Sequence, residues 1–308
     1  MDRRKFLARI TALGCSAAAS PLITPVAFAS APWDARLVVI ILRGAMDGLD
    51  AFRPIGDPEY AAMRPTLLKD TIDLTGFFGM HPALSPLRPL WDAGQMGAAH
   101  AVSTPYRDKR SHFDGQDILE AGKPGIEGAG NDGWLNRMLQ VMPNVDGQTA
   151  FAIGREQQLL LSGAAPAARW SPEAQLSLSP QAQLLLALVQ GSDPLFQTAS
   201  AEAIEIAQTV AMTAAQDAED ADMMMSDPMM QAVNGKAEHV QLADFAAARL
   251  RGETRIASFS INGWDTHLNQ QGGLQRALRR LSDTILTLRA GLGPVWQKTA
   301  VLCLTEFG

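Results

Sequence analysis

Leu37-Val38-Val39-Ile40-Ile41-Leu42 is an unbroken run of branched apolar side chains, closed by Arg43-Gly44. A strand with one wet face alternates apolar and polar residues, so a run without alternation reads as a strand buried on both faces, first in a parallel sheet. Working outward, Leu84, Leu87, Leu90 and Trp91 have helical spacing across 82–93, and 96–102 reads as a second strand, making a β-α-β unit. Helices are expected at 114–121, 134–142, 181–190, 200–219 and 240–250, with a short strand at 150–153. Residues 255–261 form another strand pattern. Leu274, Leu278, Leu281, Ile285, Leu288 and Leu292 then mark one face of a long helix, and 300–305 is a further buried strand. Strands alternating with helices imply an α/β class: a doubly wound, mainly parallel sheet with helices on both faces.

The chain opens Met1-Asp2-Arg3-Arg4-Lys5-Phe6-Leu7, followed by a weakly apolar stretch to Phe28 and the small-x-small pattern Ala27-Phe28-Ala29. That order of charge, apolar segment and cleavage site is the layout of a twin-arginine signal peptide over residues 1–29. It implies the twin-arginine translocation machinery and signal peptidase as partners and a periplasmic or otherwise exported destination. Leu13-Gly14-Cys15-Ser16 comes too early to be a lipoprotein cleavage site. With Cys15 removed, Cys303 is the sole cysteine, so no internal disulfide can form. No later stretch reaches the roughly 18 apolar residues of a membrane span, so no stable membrane anchor is expected. Residues 1–29 carry four basic residues against one acid, leaving the remainder at a formal −9 against −6 for the whole chain. Nucleic acid is therefore excluded as a partner, and anionic membrane surfaces are poor ones. A segment near 217–236 contains Met223-Met224-Met225 and Met229-Met230 among acidic residues. Methionine clusters can bind soft copper ions, but the preferred reading is a flexible insertion within the single domain spanning 30–308.

In an open parallel sheet, ligands bind beyond the carboxyl ends of the strands. The polar residues found there are Arg43 to Asp50, Arg110 to Asp117, Asn262 to His267, and Thr305 to Gly308. Carboxylates with imidazoles and no thiolate are the ligand set of zinc, manganese or magnesium centres. Asp265 and His267 lie two apart and point the same way if extended, which makes them a chelating pair. Read singly, Asp47 is a turn residue before Gly48 and Glu306 a carboxylate on a buried arginine; their convergence at strand ends favours metal. His81, His100 and His239 read as structural.

Together, Leu42-Arg43-Gly44-x-x-Asp47-Gly48-Leu49, Gly56-Asp57-Pro58-x-Tyr60, His81-Pro82-Ala83-Leu84, Arg110-Ser111-His112-Phe113, Gly263-Trp264-Asp265-Thr266-His267 and Thr305-Glu306-Phe307-Gly308 carry a resemblance. The chain resembles the exported family catalogued as domain of unknown function 1501, grouped with the alkaline phosphatase and sulfatase superfamily. The resemblance implies an alkaline phosphatase-like fold with a hydroxyl nucleophile and two divalent ions at the sheet edge. Ser111 would be that nucleophile, Asp47 a metal ligand, and Asp265 with His267 the holders of one ion. Glu306 falls where an Asp-His pair is common, Phe307 replaces the histidine, and His112 would substitute as a ligand. Family members continue past Thr-Glu-Phe-Gly to an Asp-His-Gly segment, so the sequence is expected to be truncated at its C-terminus. The implied activity is metal-dependent hydrolysis of phosphate or sulfate esters on a small-molecule or glycan substrate. The alternative is a noncatalytic envelope binding or assembly protein that keeps the fold.

Overall fold

The structure, a computed structural model, describes residues 34–107, 111–125, 132–171, 236–267 and 269–307. The signal segment 1–29, the expected helices at 181–190 and 200–219, and the methionine-rich segment up to residue 235 lie outside the described residues. In chain order the strands are β1 (Arg36–Arg43), β2 (Phe52–Arg53), β3 (Ile72–Asp73), β4 (Gly79–Met80), β5 (Ala150–Ile153), β6 (Ala168–Trp170), β7 (Ile256–Asn262) and β8 (Thr299–Thr305). The α-helices are α1 (Gly48–Ala51), α2 (Pro58–Met63), α3 (Arg88–Asp92), α4 (His112–Ala121), α5 (Trp134–Val141), α6 (Glu238–Arg251) and α7 (Gln270–Leu292).

Five strands form a wholly parallel sheet in the order β6-β5-β7-β1-β8. Residues 38–42 of β1 are all buried, and they divide between two cores. Val38, Ile40 and Leu42 pack with Leu250 of α6 and Leu274, Leu278 and Leu288 of α7, whereas Val39 and Ile41 meet Leu135 and Leu139 of α5. Opposite faces follow from the two-residue period of a strand. At about 1.5–3 kcal/mol per buried aliphatic side chain, this unalternating run is what commits β1 to the sheet interior. Helices therefore cover both faces, as expected. The leucine stripe of α7 is likewise buried at Leu274, Leu278, Leu281, Leu288 and Leu292. Among the described residues no helix is long and apolar enough to cross a membrane.

Three expectations fail. The strand at 300–305 is not buried: β8 lies at the edge of the sheet, with Leu302 40% exposed. Residues 96–102 form no strand, and the neighbours of β1 are β7 and β8, from far along the chain. The run Met96-Gly97-Ala98-Ala99-His100-Ala101-Val102 has too little apolar bulk to hold a sheet position; Val102 is exposed, and Ala101 takes φ 55°, which breaks an extended chain. The helix expected at 82–93 is a 3-10 segment over Pro82–Leu87 before α3 takes over. Pro82, Pro86 and Pro89 each remove a backbone donor there. A small antiparallel sheet, β2-β4-β3, closes the region between β1 and α3.

Candidate metal centre

The carboxyl ends of β1, β7 and β8 lie side by side because the three strands are in register, Arg43 opposite Asn262 and Leu42 opposite Thr305. Beyond β7 the chain turns at Gly263, φ 97°, and drives Trp264 into the core with no exposed surface. That anchor brings Asp265 against Gly44, where an added Cβ would lie 2.4 Å from the Asp265 backbone nitrogen. Gly44 itself holds φ 115°. The close approach of the two loops thus requires glycine twice over, for its backbone angle and for its lack of a side chain.

Three side chains converge in front of this junction. His267 Nε2 lies 2.9 Å from Asp265 Oδ1, and His112 Nε2 lies 3.7 Å from Asp265 Oδ2. One ligand atom from each of His112, Asp265 and His267 falls within 4.8 Å of the others. Donors around one tetrahedral zinc ion lie roughly 3.3–3.6 Å apart; the 2.9 and 3.7 Å separations here bracket that spacing, which makes the three a candidate group for one ion. Asp265 and His267 point together, as their spacing predicts.

Glu306 stands behind His112, its Oε1 3.0 Å from His112 Nδ1. It is 1% exposed, and the same oxygen accepts from Gly44 N at 2.8 Å and Gln116 Nε2 at 3.0 Å. Burial alone pushes its carboxyl up, but the bonds from Gln116, His112 and Gly44 outweigh it and hold the group below the usual carboxylate range. An ionised Glu306 can only accept, so Nδ1 of His112 donates this hydrogen bond and Nε2 is the ring nitrogen turned toward Asp265. This carboxylate-histidine pairing is how ligand imidazoles are oriented and made more basic. Among the described residues the carboxylate meets no arginine; Arg43 instead pairs with Glu120 at 2.6 Å and Glu156 at 2.6 Å.

Asp47 and Ser111 are not members of the converging group. Asp47 caps α1 through Asp50 N, and its Oδ2 takes Arg64 at 2.6 Å and Gln270 Nε2 at 3.0 Å. Gln270 also receives the Thr266 hydroxyl, so Asp47 braces the loop that carries Asp265 and His267. Ser111 caps α4, its Oγ accepting from Asp114 N at 3.3 Å, and its N–H donates to the Tyr106 hydroxyl at 2.9 Å. Phe307 stacks on His112 at 5.0 Å and sits over Gly115, where an added Cβ would lie 3.0 Å from its ring.

Sequence reasoning assigned no role to Gln116, although its i, i+4 spacing from His112 sets both on one face of α4. Arg43 Nη1 donates to Gln116 Oε1 at 2.6 Å, and Gln116 donates to Glu306, so the ion pair of Arg43 with Glu120 is wired to His112. Burial pushes the Glu120 carboxyl up, against the pull of Arg43. His81 caps the 3-10 segment through Nδ1, and His100 stacks on Phe78 at 4.9 Å.

A family profile described as protein of unknown function (DUF1501) matches residues 94–308. No curated protein and no solved structure matches. The matched stretch contains Ser111, His112, Asp265, His267 and Glu306, while Asp47 precedes it.

Proposed function

As this chain belongs to the DUF1501 family, we propose that His112, Asp265 and His267 hold one divalent ion and that the protein is a metal-dependent hydrolase of phosphate or sulfate esters. The observation that carries the reading is the convergence of those three ligand atoms within 4.8 Å, backed by Glu306. Two imidazoles and a carboxylate suit zinc or manganese better than magnesium. A bound divalent ion supplies Lewis acidity, stabilising charge on an ester oxygen and lowering the pKa of a hydroxyl.

The chain's own residues do the rest. Glu306 fixes the tautomer of His112, and Asp47, through Gln270 and Thr266, holds the loop of Asp265 and His267 in place. Ser111 caps the positive end of α4 directly before His112, which supports assigning it the nucleophile's role. Its bond to Asp114 N is long and uses it as an acceptor, which leaves its O–H proton free to move. The parallel sheet with its site at the strand ends supports an alkaline phosphatase-like classification. The twin-arginine layout supports export to the periplasm through the twin-arginine machinery with cleavage by signal peptidase, and a route that carries folded proteins suits a centre assembled by folding.

The second reading, a noncatalytic envelope binding or assembly protein, draws on Arg64 occupying Asp47 and on Phe307 stacking where the resemblance places a histidine. Elemental analysis of the purified exported protein, with a screen of phosphate and sulfate esters on wild type and Asp265→Ala, decides between them. Near-stoichiometric zinc or manganese with turnover, both lost in the variant, supports the hydrolase. Metal without turnover supports the binding protein, and absence of metal from folded wild type refutes the centre.

A further inference from the structure

Beside the candidate centre lies a cleft of about 520 Å³, lined by Asp265, Thr266 and His267 and by Arg276 and Arg280 of α7. Both arginines are exposed, and among the described residues neither guanidinium has an ion pair or hydrogen bond. The arginines of β1, β2 and the end of α2 are paired: Arg43 holds Glu120 and Glu156, Arg53 holds Asp50, and Arg64 holds Asp47. Asp283, one turn from Arg280, lies 3.8 Å from His239. At i, i+4 the two cations occupy one helix face and repel each other.

Glycines keep the cleft open. A Cβ on Gly263 would lie 3.4 Å from Arg280 Nη1, and one on Gly273 would lie 2.7 Å from Thr266 Cγ2. A guanidinium fork matches the oxygens of a phosphate or sulfate, which makes two adjacent unpaired forks on a concave wall an oxyanion receptor. The chain carries a net negative charge, so this local reversal of sign is where an anionic group would be drawn.

We infer that Arg276 and Arg280 form an oxyanion subsite, so that the substrate bears a sulfate or phosphate group additional to the ester at the metal centre. The substrate assignment rests on the hydrolase reading above, whereas anion capture by the arginines stands without it. The esters concerned are thus multiply charged, such as a polysulfated or multiply phosphorylated glycan or polyol. A sugar carrying a single ester would leave both forks empty and bind weakly.

The test uses the full chain stripped of metal by a chelator, titrated calorimetrically at low ionic strength with inorganic sulfate and, separately, inorganic phosphate. One saturable site is expected, its affinity falling at least tenfold in Arg276→Gln/Arg280→Gln. The control Arg279→Gln/Arg289→Gln removes the same charge from exposed positions of the same helix and should keep wild-type affinity. Glutamine preserves helix propensity, and circular dichroism checks that both variants are folded. Tighter binding of one ion assigns the group as sulfate or phosphate. No saturable binding to wild type, or equal loss in both double variants, overturns the subsite. Zinc binding by Asp265→Ala reports only on the metal centre, so the two readings fail separately.

Discussion

Replacing Glu306 discriminates a carboxylate that orients a ligand from one that binds the ion itself. Its Oε1 receives Gly44 N, Gln116 Nε2 and His112 Nδ1, while Oε2 accepts from the Thr305 hydroxyl at 3.4 Å. In Glu306→Gln the amide oxygen can keep all three donors and the new NH2 can face Thr305, so the fold is retained. What goes is the charge: hydrogen bonds to an ionised acceptor contribute about 1.5–3 kcal/mol and neutral ones about 0.5–1.5 kcal/mol, a loss of roughly 1 kcal/mol at His112. Changes to groups that orient ligand imidazoles lower metal affinity by about 10–100-fold, and that is the expected fall in zinc affinity. Glu306→Ala instead strands three donors at about 1–3 kcal/mol each and should unfold the rim of the sheet. Zinc affinity is read by competition with a chelating dye, and folding by thermal melting. A folded Glu306→Gln protein with unchanged zinc affinity would refute the argument.

Gly44→Ala places a Cβ 2.4 Å from the Asp265 backbone at φ 115° and should cost on the order of 3 kcal/mol, with metal binding lost, measurable by urea unfolding and zinc titration. Asn136 is fully buried; it donates to Leu161 O and Ala165 O, and it accepts from Ala165 N and Gln140. Asn136→Ala leaves those backbone groups unpaired and should lower urea stability by about 2–4 kcal/mol. Burial, with Arg53 nearby, pulls the His81 imidazole below its ordinary range, and its Nδ1 accepts from Ala83 N only when unprotonated. The unfolded chain therefore takes up the proton first, so His81 lowers stability as pH falls from about 6.5, levelling off below the folded-state value. Asn caps as well as His, so His81→Asn should flatten that part of the stability profile recorded between pH 7 and 5.

Strands β1 and β7 were legible because a branched apolar run has only one stable home, between two layers of helices; β8 was legible as a strand but not as the half-exposed edge it is. The run at 96–102 misled because pattern alone does not weigh side-chain bulk, and its glycine and alanines bury little. Two-residue strands such as β2 and β4 exist only through their partners and leave no periodic trace. At the site, Asp265 and His267 were legible from their spacing. The depth of Glu306 behind His112 was not, since it depends on Gly44 admitting the Asp265 loop. Nor was the hold of Arg64 on Asp47, which joins a loop to the far end of a short helix 17 residues on.

His112 and Glu306 are 194 residues apart in the chain, and Asp265 with His267 arrives on a different strand end. A nascent polypeptide brings only Asp265 and His267 of these together, so an ion held as proposed would be captured once the tertiary structure is complete and would then stabilise it, by about 2.7 kcal/mol at a hundredfold excess over its Kd. If, as proposed, the chain binds an ion and is exported already folded, that ion would be chosen from the cytoplasmic pool and not from the compartment of destination. Cation identity would then record where the protein matured.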